Sequence, residues 1–136
     1  MKRTGFAVWN GSLKEGNGLL TAKTGAFRNL QYSFNSRFAE GVGTNPEELV
    51  AAAHAGCFSM ALSAEIGKAG FVPDSIETSA TITFENGILS DSHLAVKTKV
   101  PGISKEILDK CAAEAKMNCP VSKVLKLNIS MDLTLI

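Results

Sequence analysis

Most of the chain alternates polar and apolar residues with a period of two, and one long apolar run interrupts that pattern. Tyr32, Phe34, Ser36 and Phe38 alternate with Gln31, Ser33, Asn35 and Arg37. This predicts a strand with one packing face and one polar face, and it puts Arg37 at the strand's end on the polar side. Shorter apolar pieces at Phe6–Trp9 and Leu19–Ala22 also read as strands, set off by turn signals at Asn10-Gly11 and Gly16-Asn17-Gly18. Further on, Ile76, Ala80, Ile82 and Phe84 alternate with Glu77, Ser79, Thr81 and Thr83, and Asn86-Gly87 supplies a two-residue hairpin turn. Leu94, Val96, Thr98 and Val100 alternate with Ala95, Lys97 and Lys99, and Pro101-Gly102 closes that strand. The cleanest alternation is the last, Leu125 to Leu135.

Two segments break period two. Thr44-Asn45-Pro46-Glu47-Glu48 announces a helix, with Asn45 as N-cap, Pro46 at the first position and Glu48 completing a capping box. Thr44 and Glu47 offer the same signal one residue earlier. The helix should run to about Lys68 and stop at Gly70. A second helix opens at Ser104 and Glu106, with Ile107, Leu108, Cys111, Ala112 and Ala115 on one face. Asn118-Cys119-Pro120 ends it, and a short helical turn to about Val124 follows. Strands, helix, strands, helix, strand make an α+β domain, with a mostly antiparallel sheet and helices on one side.

The first helix is unusual. Leu49 to Ala64 holds sixteen residues with no formal charge, and nine of them are Ala, Gly or Ser. That falls short of the roughly 20 needed to span a bilayer, so no membrane is expected. A helix apolar all round wants neighbours on every side, and one small domain struggles to supply them. A homodimer that packs two copies together would.

Composition narrows the function classes. The chain has 136 residues, enough for one domain (1–136) with a real core. Its 14 basic and 13 acidic side chains leave a net charge of +1, which gives no footprint for nucleic acid. Three cysteines cannot close a disulfide framework, and no secretory signal follows Lys2 and Arg3. The reducing cytoplasm is therefore the expected compartment.

Cysteine and histidine carry the candidate chemistry. Cys57 lies midway along the apolar helix. It is either a small buried hydrophobe or a nucleophile. A free thiol with a pKa of about 8.5 is only about 3% ionised at neutral pH, so a reactive Cys57 needs a cation or donors close by. His54 sits three residues earlier on the same face, either by accident of helical spacing or as a base for a Cys-His hydrolase. Arg37 is the other candidate cation. Cys119 stands at a helix start, where backbone N–H groups lower a thiol pKa. Cys111 reads as core. A zinc site from His54, Cys57 and Cys119 lacks the usual ligand spacings. A non-catalytic dimeric binding module, with Cys57 in the core, also fits these patterns.

The block Gly43-Thr44-Asn45-Pro46-Glu47-Glu48-Leu49-Val50-Ala51-Ala52-Ala53-His54-Ala55-Gly56-Cys57-Phe58-Ser59-Met60-Ala61-Leu62 strongly resembles the OsmC/Ohr family. So do Asn118-Cys119-Pro120-Val121-Ser122 and Tyr32 to Phe38, and Val121 points to the OsmC branch. The resemblance implies an intimately packed α+β homodimer. It also implies a thiol-dependent peroxidase that reduces organic hydroperoxides, and hydrogen peroxide less well, at the expense of a dithiol. No metal, flavin or haem is implied. By motif position Cys57 matches the peroxidatic cysteine, Cys119 the resolving one, Arg37 the arginine that steadies the thiolate, and Glu47 its carboxylate partner. On one continuous helix, Glu47 and Cys57 are about 15 Å apart along the axis. Each site is therefore expected to draw on both subunits, with Arg37 or Glu47 facing the partner's cysteine.

Overall fold

The computed structural model describes residues 1–136. Six strands and four helices follow in the order β1 (Gly5–Asn10), β2 (Asn17–Ala22), β3 (Leu30–Ser33), α1 (Phe34–Phe38), α2 (Pro46–Lys68), β4 (Ser75–Glu85), β5 (Ile88–Lys99), α3 (Lys105–Asn118), α4 (Pro120–Val124) and β6 (Asn128–Leu135). The α+β class expected from the pattern is what forms. The chain divides into two compact units, Met1–Leu49 and Val50–Ile136, and α2 begins in the first and continues into the second.

The first unit is an antiparallel sheet in the order β1-β2-β3. Trp9 and Tyr32 stack on it, with ring centroids 5.4 Å apart. A Cβ at Gly18, between them, would run into both rings, so only glycine fits there. The strand expected over Gln31–Phe38 ends early. It stops at Ser33, and Phe34–Phe38 turn into the short helix α1. The cause is local. Ser33 Oγ accepts the Ser36 N–H at 3.1 Å, and Ser36 Oγ accepts the Ser33 N–H at 2.8 Å. This reciprocal box satisfies two backbone donors within three residues, and it outcompetes the sheet ladder that period two suggested. Arg37 therefore sits in the last turn of α1, not at the end of a strand.

At the start of α2, Asn45 Oδ1 accepts the Glu48 N–H at 2.8 Å, which selects Asn45 over Thr44 as N-cap. The Glu48 carboxylate takes the Thr44 hydroxyl at 2.9 Å, so only half of the expected capping box is made. At the other end Gly70 has φ +89°. The bonds Gly70 N–H to Gly67 C=O and Phe71 N–H to Ile66 C=O close the helix in a Schellman motif.

The second unit holds one sheet in the order β4-β5-β6. β4 and β5 form a hairpin with Glu85 opposite Ile88. Asn86 (φ 52°) and Gly87 (φ 79°) give it the two left-handed residues of a type I′ turn. β6 lies parallel to β5, because α3 and α4 carry the chain back before it enters the sheet. The chain thus builds two three-stranded sheets, one antiparallel and one mixed, and their pairing is mostly antiparallel, as expected.

The core belongs to this unit. Phe58, Leu62 and Ile66 of α2 meet Leu94 and Val96 of β5 and Leu108, Ala112 and Ala115 of α3. Along α2 only His54, Phe58, Leu62 and Ile66 are buried, a single stripe at four-residue spacing. The rest of the helix is less covered, and Met60 is 77% exposed. Within one chain, then, the helix is not buried all round. By length and composition α2 is also long and apolar enough to cross a membrane. Here, its buried stripe is part of the core.

Candidate active site

Two constellations hold the chemistry-bearing side chains, one in each unit. In the second unit, Cys57 of α2 lies against Cys119, the residue between α3 and α4. Pro120 at the first position of α4 ends α3 and turns the chain, which sets Cys119 at the N-cap of α4 beside Val121 and Ser122. All three cysteines are free thiols, and Cys119 is fully buried.

The two thiols do not share their environment equally. Burial pushes the Cys57 thiol up; one donor, the Val121 N–H, opposes this, and hydrogen bonding and charge at Cys119 add to the rise. Burial also pushes against ionisation of Cys119. There the Ser122 N–H, the Cys57 thiol, the Ser122 hydroxyl and the Val121 N–H together outweigh it and bring Cys119 below the usual thiol range. Cys111 is apart from both. Burial raises its thiol and the Glu65 carboxylate raises it further, as suits a core position on α3.

His54 does not pair with Cys57. Its ring is fully buried, with Nδ1 2.7 Å from Ser92 Oγ and Nε2 2.9 Å from Ser122 Oγ. Burial lowers its pKa. Both ring nitrogens are taken by hydroxyls, so a Cys57–His54 hydrolase couple is not formed. No group of three His, Cys, Asp or Glu side chains is placed to hold a metal ion. Ser92 and Ser122 had no assigned role in the sequence reading. A signal was present: Ser92 falls on the inward face of β5, two residues before Leu94, and His54 on the buried stripe of α2. A polar residue on each of two apolar faces asks for a partner.

The first unit presents Arg37. Its Nη2 is 2.7 Å and its Nε 3.1 Å from Glu47 Oε1, with Nε 3.3 Å from Oε2. This fork of donors on one carboxylate fixes the guanidinium plane. The guanidinium also stacks on Phe38, with Cζ 5.0 Å from the ring centroid. Around it is a ring-rich hollow of about 290 Å³, lined by Trp9, Leu13, Tyr32, Phe34, Arg37 and Phe38 among others. Sequence reasoning did not find this lining, because it gathers aromatics from three separate elements, β1, β3 and α1. A hollow of about 330 Å³ on the sheet of the second unit is lined by Glu77, Lys97, Asp132 and neighbours, and contains neither of the paired cysteines.

Residues 39–134 match a family model described as OsmC-like protein. The chain is 43% identical over 134 residues to Peroxiredoxin OsmC of Escherichia coli, covering 96% of this chain and 94% of that protein. It is 32% identical over 103 residues to an Organic hydroperoxide resistance protein of Xanthomonas axonopodis pv. citri, covering 71% of this chain and 70% of that one. Among solved structures, an OsmC-like protein from Mycoplasma pneumoniae superposes with a TM-score of 0.77, over 100% of this chain and 98% of that one. At 15% identity that likeness speaks for the fold alone.

Proposed function

The chain belongs to the OsmC/Ohr family, and on that footing we propose that it is a thiol-dependent peroxidase reducing organic hydroperoxides, and hydrogen peroxide less well. Its relatives carry the names peroxiredoxin and organic hydroperoxide resistance protein. The observation that carries the reading is the pair of free thiols, Cys57 and Cys119, set next to each other beside the Val121–Ser122 turn.

The reaction runs in three balanced steps. The Cys57 thiolate attacks the outer oxygen of the hydroperoxide. An S–O bond forms, the O–O bond breaks, and the alkoxide leaves and takes a proton to become an alcohol. Cys57 is now a sulfenic acid. The Cys119 thiolate attacks that sulfur, an S–S bond forms, and hydroxide leaves as water once protonated. An external dithiol then exchanges with the disulfide, is itself oxidised, and restores both thiols. Closing the disulfide stops the sulfenic acid from oxidising further, and a cytoplasmic setting keeps the dithiol supply reduced.

The first step needs charge on Cys57, and this chain's own donors favour Cys119 instead. A guanidinium beside Cys57 reverses that preference, since an opposite charge within about 4–6 Å favours the ionised form. Arg37, held flat by Glu47, is the group we assign to this task. Glu47 and Cys57 lie on one continuous helix, about 15 Å apart along its axis. The active unit is therefore a homodimer in which Arg37 of one subunit serves Cys57 of the other, and the ring-rich hollow beside Arg37 receives the organic part of the substrate. The partly uncovered small-residue helix supports the same assembly.

Steady-state turnover of cumene hydroperoxide with a dithiol tests the reading. Cys57→Ser should abolish it, by at least a thousandfold. Cys119→Ser should permit one oxidation per chain but impair recycling. Full activity in Cys57→Ser would sink the assignment.

A further inference from the structure

Helix α4 is five residues long and buries none of them, yet it follows directly on Cys119. It starts with Pro120, which has no N–H to give, and the Cys119 side chain does not cap it. Two side chains fasten it to its unit. Val121 packs against the core cluster, and the Ser122 hydroxyl lies 2.9 Å from His54 Nε2 on α2. No other polar side chain of α4 reaches another helix.

His54 is a firm anchor for that hydroxyl. Its ring is fully buried on the inner stripe of α2, and Nδ1 lies 2.7 Å from Oγ of Ser92 on β5, itself fully buried. Water does not replace a bond broken there, so the ring holds its two partners. The spacing matters as much as the bond. Cys57 stands three residues after His54, about one turn further along α2. Cys119 stands three residues before Ser122, at the N-cap of α4. The bond therefore joins the two cysteine-bearing segments close to each cysteine. At Cys119 the chain bends, with ψ 119°, so the seating of α4 sets the backbone from which that side chain projects.

We propose that the His54–Ser122 bond is a tether that holds α4, and with it Cys119, in bonding range of Cys57, which makes His54 and Ser122 positioning residues for closing the disulfide. The purpose of the tether rests on the proposed Cys57–Cys119 couple. A disulfide is about 2.05 Å long and sets the two Cβ atoms about 3.8 Å apart, a narrower condition than being neighbours. Without the tether α4 samples more arrangements, few of them productive, and the effective concentration of one thiol at the other falls. The consequence is protection of Cys57, because its sulfenic acid has two fates. Cys119 attacks the sulfur, an S–S bond forms, and the hydroxide leaves as water. Alternatively a second hydroperoxide transfers an oxygen to the sulfur and departs as its alcohol, and Cys57 becomes a sulfinic acid that a dithiol does not restore. The tether favours the first fate.

Two measurements decide it. Equilibration in dithiothreitol redox buffer reads the effective concentration with no hydroperoxide present. Ser122→Ala should shift the equilibrium about tenfold toward the dithiol, about 30 mV for this two-electron couple. Ser122→Thr, which keeps the hydroxyl, should return it to within about twofold of the parent. Ser92→Ala is the control for plain loss of stability. It unpairs the other ring nitrogen and leaves α4 tied, so the urea midpoint should fall while the redox equilibrium stays within about twofold of the parent. An unshifted Ser122→Ala, or an equally large shift in Ser92→Ala, overturns the tether. Titration of the reduced protein with cumene hydroperoxide, the Cys57 peptide being read by mass spectrometry, measures the protection. Ser122→Ala should reach half sulfinic acid at about one tenth of the parent's hydroperoxide concentration. Equal half-points overturn the protective role. A parent Cys57 that hydroperoxide leaves unoxidised would refute the peroxidase reading alone, because the redox-buffer shift still decides the tether.

Discussion

A histidine sealed from water between two hydroxyls resists protonation, and the stability of the fold must register that resistance. Burial lowers the His54 pKa below its ordinary 6.5. Above that value the ring is neutral in both the folded and the unfolded chain, and the full stability is present. As pH falls through 6.5 the unfolded chain takes up the proton first, so stability declines until the folded ring also titrates. Urea unfolding should show a falling midpoint between about pH 7 and about pH 5.5, and His54→Gln should flatten that slope. A His54 ring that titrates at its ordinary value in the folded protein would contradict the prediction. The bonds from His54 to Ser92 and Ser122 were beyond the reach of sequence because the partners lie 38 and 68 positions away. Cys57 and Cys119 were legible because each sits in a dense motif. Arg37 and Glu47 were legible as residues, but their fork and the aromatics around them depend on how side chains from β1, β3, α1 and α2 converge.

Elements were legible where a periodic run is long or its ends are chemically marked. Asn45, Pro46 and Gly70 bound α2, Ser104 starts α3, and Asn86-Gly87 turns the β4–β5 hairpin. Gln31–Phe38 misled because the alternation is short and two serines could satisfy the backbone locally. β6 was legible as a strand but not as a parallel one, since its direction is fixed by the path of α3 and α4. The consequence at α1 is testable. Ser36 Oγ is buried, accepts the Ser33 N–H and lies 2.7 Å from the Thr44 carbonyl oxygen, to which it donates. Ser36→Ala strands both backbone groups and should cost about 1–3 kcal/mol in urea unfolding. The same variant should lower kcat/KM for cumene hydroperoxide, because α1 places Arg37. An unchanged midpoint would mean that the capping box is incidental.

For the whole molecule, apolar surface outside the core points to a second copy of the chain. All of β1 is exposed, Phe6 and Val8 are each more than half exposed, and α2 is buried along one stripe only. Sedimentation at micromolar concentration should give the mass of two chains, and a single-chain mass would remove the shared active site. The central claim, that Cys57 and Cys119 are the redox couple for a hydroperoxide, is tested most directly by peptide mapping. Reduced protein is treated with one equivalent of cumene hydroperoxide, free thiols are alkylated, and the digest is read by mass spectrometry. The account predicts a Cys57–Cys119 cross-linked peptide pair with Cys111 alkylated. Recovery of Cys57 and Cys119 as alkylated thiols, or a disulfide through Cys111, would contradict it.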